Sequence, residues 1–328
     1  MLEGKDLILA TRPFAQEIRW KSWWHLFTTL VVIAFAYTVI FTVENWWIKS
    51  AGSVLLALTL GRLFVIYHDY LHHAILQHNK PVKWFFTVFG WFSLAPISIW
   101  ERSHNHHHAH NSKLYTTSIG SYPVVTLKKF LESPKGEQRA YLFVRHPLTI
   151  SLGYIFMFLY GMCIRSMVNN TGRHWDSIIA IAFHAGVGVL IGVLAGWTGL
   201  VFGFLIPFFI MLALGSYLFY AQHNFPGVSY ADKDGWTYAG AALESSSHMR
   251  MSPVMRWFLA NIGLHHIHHL NPRVPFYRLP EAHAAIPELR HAKTTTLLPW
   301  DVLRCLRLKV WDTDTQQMVG MREIRVRA

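Results

Sequence analysis

Residues 53–73 read S-V-L-L-A-L-T-L-G-R-L-F-V-I-Y-H-D-Y-L-H-H, an apolar run that ends in two histidines four positions apart. About 20 helical residues cross a bilayer core of about 30 Å, so this run predicts a transmembrane helix. His68 and His72 share one face of that helix, so both imidazoles can point at the same place. The segment joins two features, a membrane-spanning helix and clustered histidines, that recur along the chain.

The composition of the whole chain is that of an integral membrane protein. Of its 328 residues, 52% are hydrophobic and only 15% are charged, which is unusual for a soluble protein.

The only two cysteines, Cys163 and Cys305, exclude a disulfide framework and a cysteine-rich zinc or iron–sulfur site. The net charge of +12 comes without a basic stripe interleaved with stacking aromatic residues, so nucleic acid is not an expected partner. The basic residues are instead expected to face anionic lipid headgroups on the cytoplasmic side.

Four apolar segments are long enough to cross the bilayer, namely residues 23–43, 53–73, 177–197 and 200–220. The connection Gly196–Gly199 is short and uncharged, so it predicts that the last two spans form a hairpin. Gly188, Gly192 and Gly196 repeat every four residues, a spacing that lets helix backbones approach closely. Two further segments, 84–99 and 147–164, are short or marginal for a crossing.

The distribution of charge predicts the topology. Lys and Arg residues precede the first span at positions 5, 12, 19 and 21, whereas the first connecting loop has only Lys49, so the N-terminus is expected in the cytoplasm. The second and fourth spans then end on the cytoplasmic side. All histidine clusters can meet there only if residues 84–99 and 147–164 lie in the interface or re-enter it. We predict one domain over residues 1–328, an all-α integral membrane protein. It has four transmembrane helices, interfacial or re-entrant segments, and a histidine-rich cytoplasmic cap of residues 101–146 and 221–328.

Thirteen of the 21 histidines fall in three short windows, residues 68–78, 104–110 and 265–269. The second and third windows both contain the pattern H-x-x-H-H, which places three imidazoles on one face of a helix. A solvated histidine-rich tract would also give one such window. Two copies of one spacing, together with the upstream H-x-x-x-H, favour a common metal site.

The number of histidines favours two metal ions, because a structural zinc ion takes only four ligands. Imidazole binds Fe, Zn, Cu and Ni, so the ligand type alone leaves the metal open. A site at headgroup level beneath apolar helices indicates an apolar substrate, whose C–H bonds yield to oxygen-activating iron.

Three motifs resemble those of the membrane-bound fatty acid desaturases, particularly the acyl-lipid, delta-12-like branch of bacteria and cyanobacteria. They are H-D-x-x-H at residues 68–72, W-E-R-S-H-N-H-H-H-A-H-N at residues 100–111, and N-I-G-L-H-H-I-H-H-L-N-P-R-V-P-F-Y-R-L at residues 261–279. The resemblance runs from about Tyr67 to Leu279. It also includes Y-A-Q-H-N-F at residues 220–225 and A-L-E-S-S-S at residues 242–247.

The resemblance implies a di-iron centre held by eight histidines of the motifs: His68, His72, His104, His107, His108, His265, His268 and His269. It implies a ninth ligand just past the last span, where His223 stands. Family members hold a water on one iron through an Asn one turn earlier. Phe219 occupies that position here, which puts the water in doubt, and Gln222 or Asn224 is a weak substitute.

The activity implied by the resemblance is oxygen-dependent removal of two hydrogens from a fatty acyl chain carried by a lipid or a thioester. A separate ferredoxin-type or cytochrome b5-type carrier would supply the electrons, and O2 would be the co-substrate. We expect the protein in a membrane, the bacterial inner membrane above all, with the site facing the cytoplasm.

Several other polar residues carry weaker expectations. Asp69 is expected to accept an N–H bond from an imidazole ligand or to form a salt bridge at the helix end. Five further histidines, His73, His78, His106, His110 and His266, are adjacent to the ligands or out of phase with them, so they are expected outside the site. His184, inside the third span, is expected to make a neutral hydrogen bond between helices. Arg62 is expected to pair with a buried acid or to extend towards the interface.

Two other functions compete with desaturation. Carotenoid ketolases and hydroxylases, and other hydroxylases of the same superfamily, use similar histidine motifs. A membrane metal transporter or metal store would use histidine clusters as a relay. The run Asn271–Pro275 favours the acyl desaturases, and transport is disfavoured because the histidines lie at segment ends and no inverted repeat is evident.

Overall fold

The computed structural model describes residues 2–116 and 118–327, most of them helical. The helices are α1 (Gly4–Ala10), α2 (Arg19–Thr42), α3 (Trp46–Leu71), α4 (Lys80–Phe92), α5 (Ile97–His110), α6 (Leu127–Glu132), α7 (Lys135–Val144), α8 (Pro147–Ser151), α9 (Arg165–Asn169), α10 (Asp176–Leu200), α11 (Ile206–Ala221), α12 (Tyr238–Glu244), α13 (Pro253–Phe258), α14 (His265–Leu270), α15 (Leu279–Ala285), α16 (Pro299–Arg307) and α17 (Met321–Arg327). Tyr154–Ile164 and Val201–Leu205 are π-helical, and Arg12–Ala15 and Pro287–His291 form 3-10 turns.

Within the described residues, three continuous helical stretches are long and apolar enough to cross a membrane: Arg19–Thr42, Trp46–Leu71 and Asp176–Ala221. The first two correspond to the predicted spans 23–43 and 53–73. The second helix begins seven residues earlier than predicted, because the Asn45 side chain caps it by accepting hydrogen bonds from the backbone N–H groups of Trp47 and Ile48.

The third stretch is 46 residues long and reverses direction at Gly196, whose φ of 68° and ψ of −172° lie outside the helical region. Glycine adopts this conformation without the steric cost that a β-carbon brings. A β-carbon at Gly188 would lie 2.9 Å from the Phe204 ring, and one at Gly192 would lie 3.7 Å from Leu200. Both pairs are symmetric about Gly196, so the two arms pack antiparallel, in agreement with the predicted hairpin.

The two weaker apolar segments are not straight. Helices α4 and α5 meet at an angle of 87°, where Leu94 has a φ of 54° and Pro96 precedes α5. Residues 84–99 are therefore bent in the middle, as expected of an interfacial or re-entrant segment. Residues 147–164 form α8 and the π-helical segment Tyr154–Ile164.

Two small sheets correct the all-α prediction. Strand β1 (His248–Arg250) pairs in parallel with β2 (Thr294–Thr296), and β3 (Leu308–Asp312) pairs antiparallel with β4 (Gln317–Gly320). The strands have three to five residues and are too short for a clear pattern of alternation. The parallel pair also joins residues 46 positions apart, a contact that local periodicity does not reveal.

Arg62 is fully buried in α3, and the expectation that it pairs with an acid or reaches the interface is wrong. Its guanidinium donates to the Thr29 hydroxyl at 2.9 Å and to the Trp257 carbonyl, and it approaches His25 Nδ1 at 3.0 Å. It also stacks on the Trp257 ring with its central carbon 4.3 Å from the ring centre. Neutral oxygens and an aromatic face satisfy this cation, and the contacts join α2 and α13 to α3.

Candidate metal centre

Four elements bring nine buried or half-buried histidines together. The histidines come from the C-terminal end of α3, the last turns of α5, helix α14 and the residues just after α11. The side chains form two groups, and within each group the candidate ligand nitrogens lie within 4.8 Å of one another. The larger group is His68, His72, His104, His108 and His268, and the smaller is His107, His223, His265 and His269. All nine predicted ligand positions therefore converge.

In the larger group the Nε2 atoms point at a common centre. His68 and His104 approach at 2.8 Å, His104 and His108 at 3.1 Å, and His108 and His268 at 3.0 Å. Among the described residues, Nε2 of His72 is buried without a hydrogen-bond partner. Buried polar atoms normally have partners, so this atom indicates a ligand at the centre.

The smaller group repeats the arrangement. Nε2 of His223 lies 3.0 Å from that of His107 and 2.9 Å from that of His265, and His265 lies 3.1 Å from His269. The rings of His108 and His269 stack with their centres 4.1 Å apart, so the two groups are adjacent.

These separations fit metal ions. Two nitrogens about 2.1 Å from one ion and at right angles to each other lie about 3.0 Å apart. The Nε2 separations within the two groups, 2.8 to 3.1 Å, are close to that value. The nine residues therefore fit two neighbouring cations that prefer nitrogen ligands.

Several imidazoles have a hydrogen-bond partner at Nδ1, the ring nitrogen that does not face the centre of its group. Nδ1 of His68 lies 3.1 Å from Asp69 Oδ1, and the other carboxylate oxygen of Asp69 accepts the backbone N–H of Phe276 at 2.7 Å. Nδ1 of His107 lies 2.6 Å from the Ser121 hydroxyl, and Nδ1 of His223 donates to the Ser245 carbonyl at 2.9 Å. Such partners fix the tautomer, so Nε2 is left free to bind a metal.

Burial also keeps the imidazoles neutral. It lowers the pKa of His223 to about 4 and lowers the pKa of His265, His268 and His269 well below the usual value. A neutral imidazole is the form that binds a metal, so these histidines are ready to act as ligands near neutral pH.

Histidines that were expected outside the site lie outside it. Nε2 of His266 donates to the Leu289 carbonyl at 2.9 Å, and Nδ1 of His73 contacts Gln77 at 3.0 Å. His106 and His110 stack on each other with ring centres 4.1 Å apart, and His78 is exposed. In the membrane-spanning hairpin, His184 bonds to the Tyr154 hydroxyl at 2.5 Å and the Phe92 carbonyl at 2.6 Å, so the predicted interhelical hydrogen bond is confirmed.

Phe219 occupies the position where the resemblance implies a polar residue. Its ring packs against Trp100 and His104, with ring centres 5.4 and 5.9 Å apart. Gln222 donates to the Ile262 carbonyl at 3.0 Å, and Asn224 donates to the Cys305 carbonyl at 2.8 Å. The side of the site that faces α11 is therefore apolar.

An apolar chamber opens from the larger histidine group between α3, α11 and the π-helical segment Tyr154–Ile164. Its unfilled space, counted together with the part that is open to the surroundings, is about 640 Å³. Its polar lining residues are His68, His104, His265 and Gln222, and the remaining lining is apolar. Phe219 lines this chamber and also a polar cavity beside His107 and His223, so its ring separates apolar from polar space.

Sequence reasoning missed some residues that shape the site. Gly61 and Gly215 line the chamber, and glycine inside a predicted span was a usable signal of open space or close approach. Asp176 bonds to the backbone N–H and hydroxyl of Ser98, at 3.2 and 2.5 Å, at the start of α5. No local pattern connects these two positions, which are 78 residues apart.

Comparisons with known proteins agree with the geometry. A family model described as fatty acid desaturase matches residues 44–297. A fatty acid desaturase of Bacillus subtilis is 31% identical over 86% of this chain and 80% of its own length. An sn-1 acyl-lipid omega-3 desaturase (ferredoxin) of Nostoc is 22% identical over 81% of this chain and 75% of its own. An sn-1 oleoyl-lipid 12-desaturase of Synechocystis is 22% identical over 82% and 76% of the two chains.

The match covers most of the chain, including the two histidine groups and the apolar helices that hold them. The protein is therefore a membrane oxidoreductase that belongs to the fatty acid desaturase family.

Proposed function

We propose that this protein introduces a carbon–carbon double bond into a fatty acyl chain, with O2 as co-substrate. One observation carries the proposal: two adjacent groups of buried imidazoles face the end of an apolar chamber. An unreactive hydrocarbon substrate needs both a place free of water and a strong oxidising centre beside it.

The centre we propose contains two iron ions. His68, His72, His104, His108 and His268 would hold one ion, and His107, His223, His265 and His269 would hold the other. When bound and reduced by an outside donor, the two irons would activate O2 for removal of two hydrogens from the chain. Asp69 would orient His68 through the bond to its Nδ1.

The contribution of the protein itself is position rather than acid–base chemistry. The histidines are neutral and their Nε2 atoms point at one another, so they are arranged as ligands and not as bases. The rings of Trp100 and Phe219 pack edge-on against each other beside the centre and would keep water away from it. The chamber walls would fix which carbon of the chain lies nearest the centre.

We propose an acyl lipid as the substrate, with an acyl thioester as the alternative. The names of the cyanobacterial relatives specify acyl-lipid substrates, and one name specifies ferredoxin. A ferredoxin-type or cytochrome b5-type protein would deliver the electrons here. Ten of the 30 Lys and Arg residues lie in residues 273–328, so this part of the chain suits an acidic carrier.

We further propose a location in the bacterial inner membrane. One domain over residues 1–328 would cross the bilayer four times, with α2, α3 and the two arms of the hairpin as the crossings. Residues 101–146 and 221–328 would form the cap that holds the centre on the cytoplasmic side.

Lipid analysis of cells tests the proposed function. The protein is expressed in a bacterial host that makes only saturated and monounsaturated acyl chains, and acyl products are located by gas chromatography and mass spectrometry. New double bonds are expected with the wild type and not with His268→Ala, which removes one candidate ligand. Oxygenated carotenoids or hydroxylated acyl chains would indicate the hydroxylase alternative. Unchanged lipids with altered metal uptake would indicate transport or storage.

A further inference from the structure

We infer that Arg145 is a positioning residue that holds His223 in place and thereby controls the binding of one of the two metal ions. Arg145 belongs to none of the histidine motifs, and it acts through the residues that flank His223. The inference rests on the proposed two-iron centre, because the ion it concerns is the one assigned to the smaller histidine group.

His223 needs support from outside its own helix. The other three members of the smaller group lie within α5 or α14, whereas His223 lies two residues beyond the end of α11. Its backbone N–H donates to the Tyr220 carbonyl at 3.3 Å, and its carbonyl accepts the Tyr230 hydroxyl at 2.7 Å. Side chains from elsewhere in the chain must therefore fix the turn that carries this ligand.

Arg145 holds the residues on both sides of that turn. It follows α7 and is fully buried. One terminal nitrogen of its guanidinium donates to the Tyr220 hydroxyl at 3.2 Å and to the side-chain carbonyl of Asn224. The other terminal nitrogen donates to the Pro123 carbonyl at 2.7 Å. Tyr220 precedes His223 and Asn224 follows it, so a single guanidinium links both sides of the turn to a fixed point of the backbone.

The same two residues are also bonded to the chain between α16 and β3. The Tyr220 hydroxyl donates to the Leu308 carbonyl at 2.7 Å. The Asn224 amide donates to the Cys305 carbonyl at 2.8 Å. Neither side chain is free to turn towards the metal centre, so Tyr220 and Asn224 transmit the position of Arg145 to the backbone of the turn.

The chemistry of the guanidinium indicates a role in geometry rather than in stability. Its acceptors are neutral, and among the described residues its buried Nε has no hydrogen-bond partner. A buried cation without a carboxylate is costly, and an apolar side chain of similar volume often stabilises a protein more. The planar guanidinium, however, directs its donors at several acceptors at fixed angles, which a lysine ammonium on a flexible stem does not.

Loss of Arg145 should therefore weaken one ion selectively. Nε2 of His223 lies 3.0 Å from that of His107 and 2.9 Å from that of His265, so a displaced turn takes away a ligand from the middle of the smaller group. Three of its four histidines would remain, whereas the larger group keeps all five. We expect Arg145→Met to lower the affinity for the ion of the smaller group by about 10-fold, as when a supporting partner of a metal ligand is lost.

Titration of the metal-free protein with ferrous iron, without O2, tests the inference. Competition with a chelator of known affinity gives the affinity for each ion, and His223→Ala and His268→Ala identify the two groups. Arg145→Lys, which keeps the charge and loses the planar fork, should give an intermediate affinity. Asn224→Ala removes the acceptor beside His223 and should reproduce Arg145→Met, so it replaces that variant if Arg145→Met does not fold.

Arg62→Met is the matched control. Arg62 is also a fully buried guanidinium that donates to neutral oxygens, but it lies on α3. Its loss should lower Tm and leave the affinity for the ion of the smaller group unchanged. Equal weakening of both ions in Arg145→Met, or of neither, would overturn the inference.

Double variants test the path through His223. In a His223→Ala background, Arg145→Met should have no further effect on the ion of the smaller group, because the residue it positions is already missing. In a His269→Ala background the same substitution should still weaken that ion by about 10-fold, since His269 lies on α14. Both backgrounds are titrated to iron concentrations that fill the weakened site. Equal effects in the two backgrounds would overturn the inference by showing a general loss of structure.

The outcomes separate this inference from the proposed function. Wild-type protein that forms double bonds, together with an Arg145→Met variant that binds both ions with wild-type affinity, would refute the role of Arg145 and leave the proposed function intact. Wild-type protein that binds two ferrous ions and forms no double bonds would refute the proposed function, whereas selective weakening in Arg145→Met would still support the positioning role.

Discussion

The direction of each imidazole distinguishes the nine clustered histidines from their neighbours in the same windows. His265, His268 and His269 point Nε2 into the two groups, whereas His266 points Nε2 at the Leu289 carbonyl. The i, i+3, i+4 spacing on α14 produces this division, because the residue at i+1 is rotated about 100° away. The direction of its side chain, rather than its residue type, therefore makes a histidine a candidate ligand.

His223 gives the first prediction. His223→Ala should abolish desaturation and lower bound iron, because Nε2 of His223 lies between those of His107 and His265 at 3.0 and 2.9 Å. His266→Gln is the control, since a Gln amide can still donate towards the Leu289 carbonyl. Iron is measured by elemental analysis of purified protein and products by gas chromatography. Near-normal iron and product in His223→Ala would remove this residue from the ligand set.

Asp69 gives the second prediction, because its carboxylate joins His68 to the backbone of Phe276. Asp69→Asn replaces one acceptor oxygen with a donor, so one of these two bonds is lost. We expect iron affinity to fall by about 10-fold to 100-fold, as is usual when a partner of a metal ligand is removed. Competition with a chelator of known affinity measures the change. Unchanged affinity would limit Asp69 to holding the backbone of Phe276.

At the scale of elements, helix α5 depends on a distant residue for its orientation. The helix begins after Pro96 and has no side-chain cap from its own N-cap residue. The Asp176 carboxylate, at the start of α10, instead accepts from the backbone N–H and hydroxyl of Ser98. A carboxylate at this end of a helix satisfies an unpaired N–H and favours the helix dipole. The bond ties the helix that holds His104, His107 and His108 to the transmembrane hairpin.

Removal of this cap should destabilise the protein. Asp176→Ala is expected to cost about 1 kcal/mol, which lowers Tm by a few degrees, and Asp176→Asn should cost less because one acceptor oxygen remains. Asp234→Ala, at an exposed position, is the control. Thermal unfolding in detergent measures Tm, and equal values for Asp176→Ala and Asp234→Ala would contradict the capping role.

Elements defined by local periodicity could be predicted from the sequence, and elements defined by distant partners could not. Spans α2 and α3 follow from apolar length, and the convergence of the histidines follows from their spacing. Pro96 indicates a helix boundary between α4 and α5, but the φ of 54° at Leu94 that the bend requires is not indicated by the residue type, since leucine rarely adopts it. The partner of Arg62, the Trp257 carbonyl, is 195 residues away. Neither the backbone conformation of Leu94 nor the partner of Arg62 can be predicted from the spacing of residues in the sequence.

At the scale of the whole molecule, buried histidines outside the spans make folding sensitive to acid. Burial lowers the pKa of His223 and His248 to about 4 and that of His266 to about 3, whereas an unfolded chain has histidines near about 6.5. Between these values the unfolded state binds more protons than the folded state. The contribution of these neutral histidines to the free energy of unfolding is therefore fully present only above about pH 6.5. It is lost as the pH decreases towards 4.

We expect Tm of the protein freed of metal by a chelator to fall steadily from pH 7 to pH 5. Each such histidine lowers the free energy of unfolding by at most about 1.4 kcal/mol per pH unit, a slope that is approached only below about pH 6.5. The half-exposed His248 contributes less than this limit, because solvent screens its charge. His248→Asn should make the fall shallower, because it removes one group that takes up a proton only on unfolding. A Tm that rises on acidification, or an equal slope in His248→Asn, would show that these histidines do not control the response.

The pair α2–α3 contacts the hairpin that reverses at Gly196, and these contacts show which ends of the two pairs lie together. Phe41, at the end of α2, lies 3.1 Å from the β-carbon position of Gly203, and Trp46 packs against Phe202 with ring centres 5.5 Å apart. The α2–α3 connection and the Gly196 reversal are therefore at the same end of the spans, and the histidine groups are at the other end. The histidine end adjoins Arg19 and Lys21, and by the positive-inside rule these basic residues support the proposed cytoplasmic location of that end.

The last prediction follows from that arrangement. The proposed four crossings would place both termini on the side of the histidines. A reporter active only in the periplasm should then be inactive when fused to the C-terminus. The same reporter inserted between Glu44 and Asn45, in the α2–α3 connection, should be active and serves as the control. Activity of the C-terminal fusion would require an odd number of crossings. Either the bent pair α4–α5 or the segment 147–164 would then cross the bilayer, and the candidate ligands would no longer share one face of the membrane.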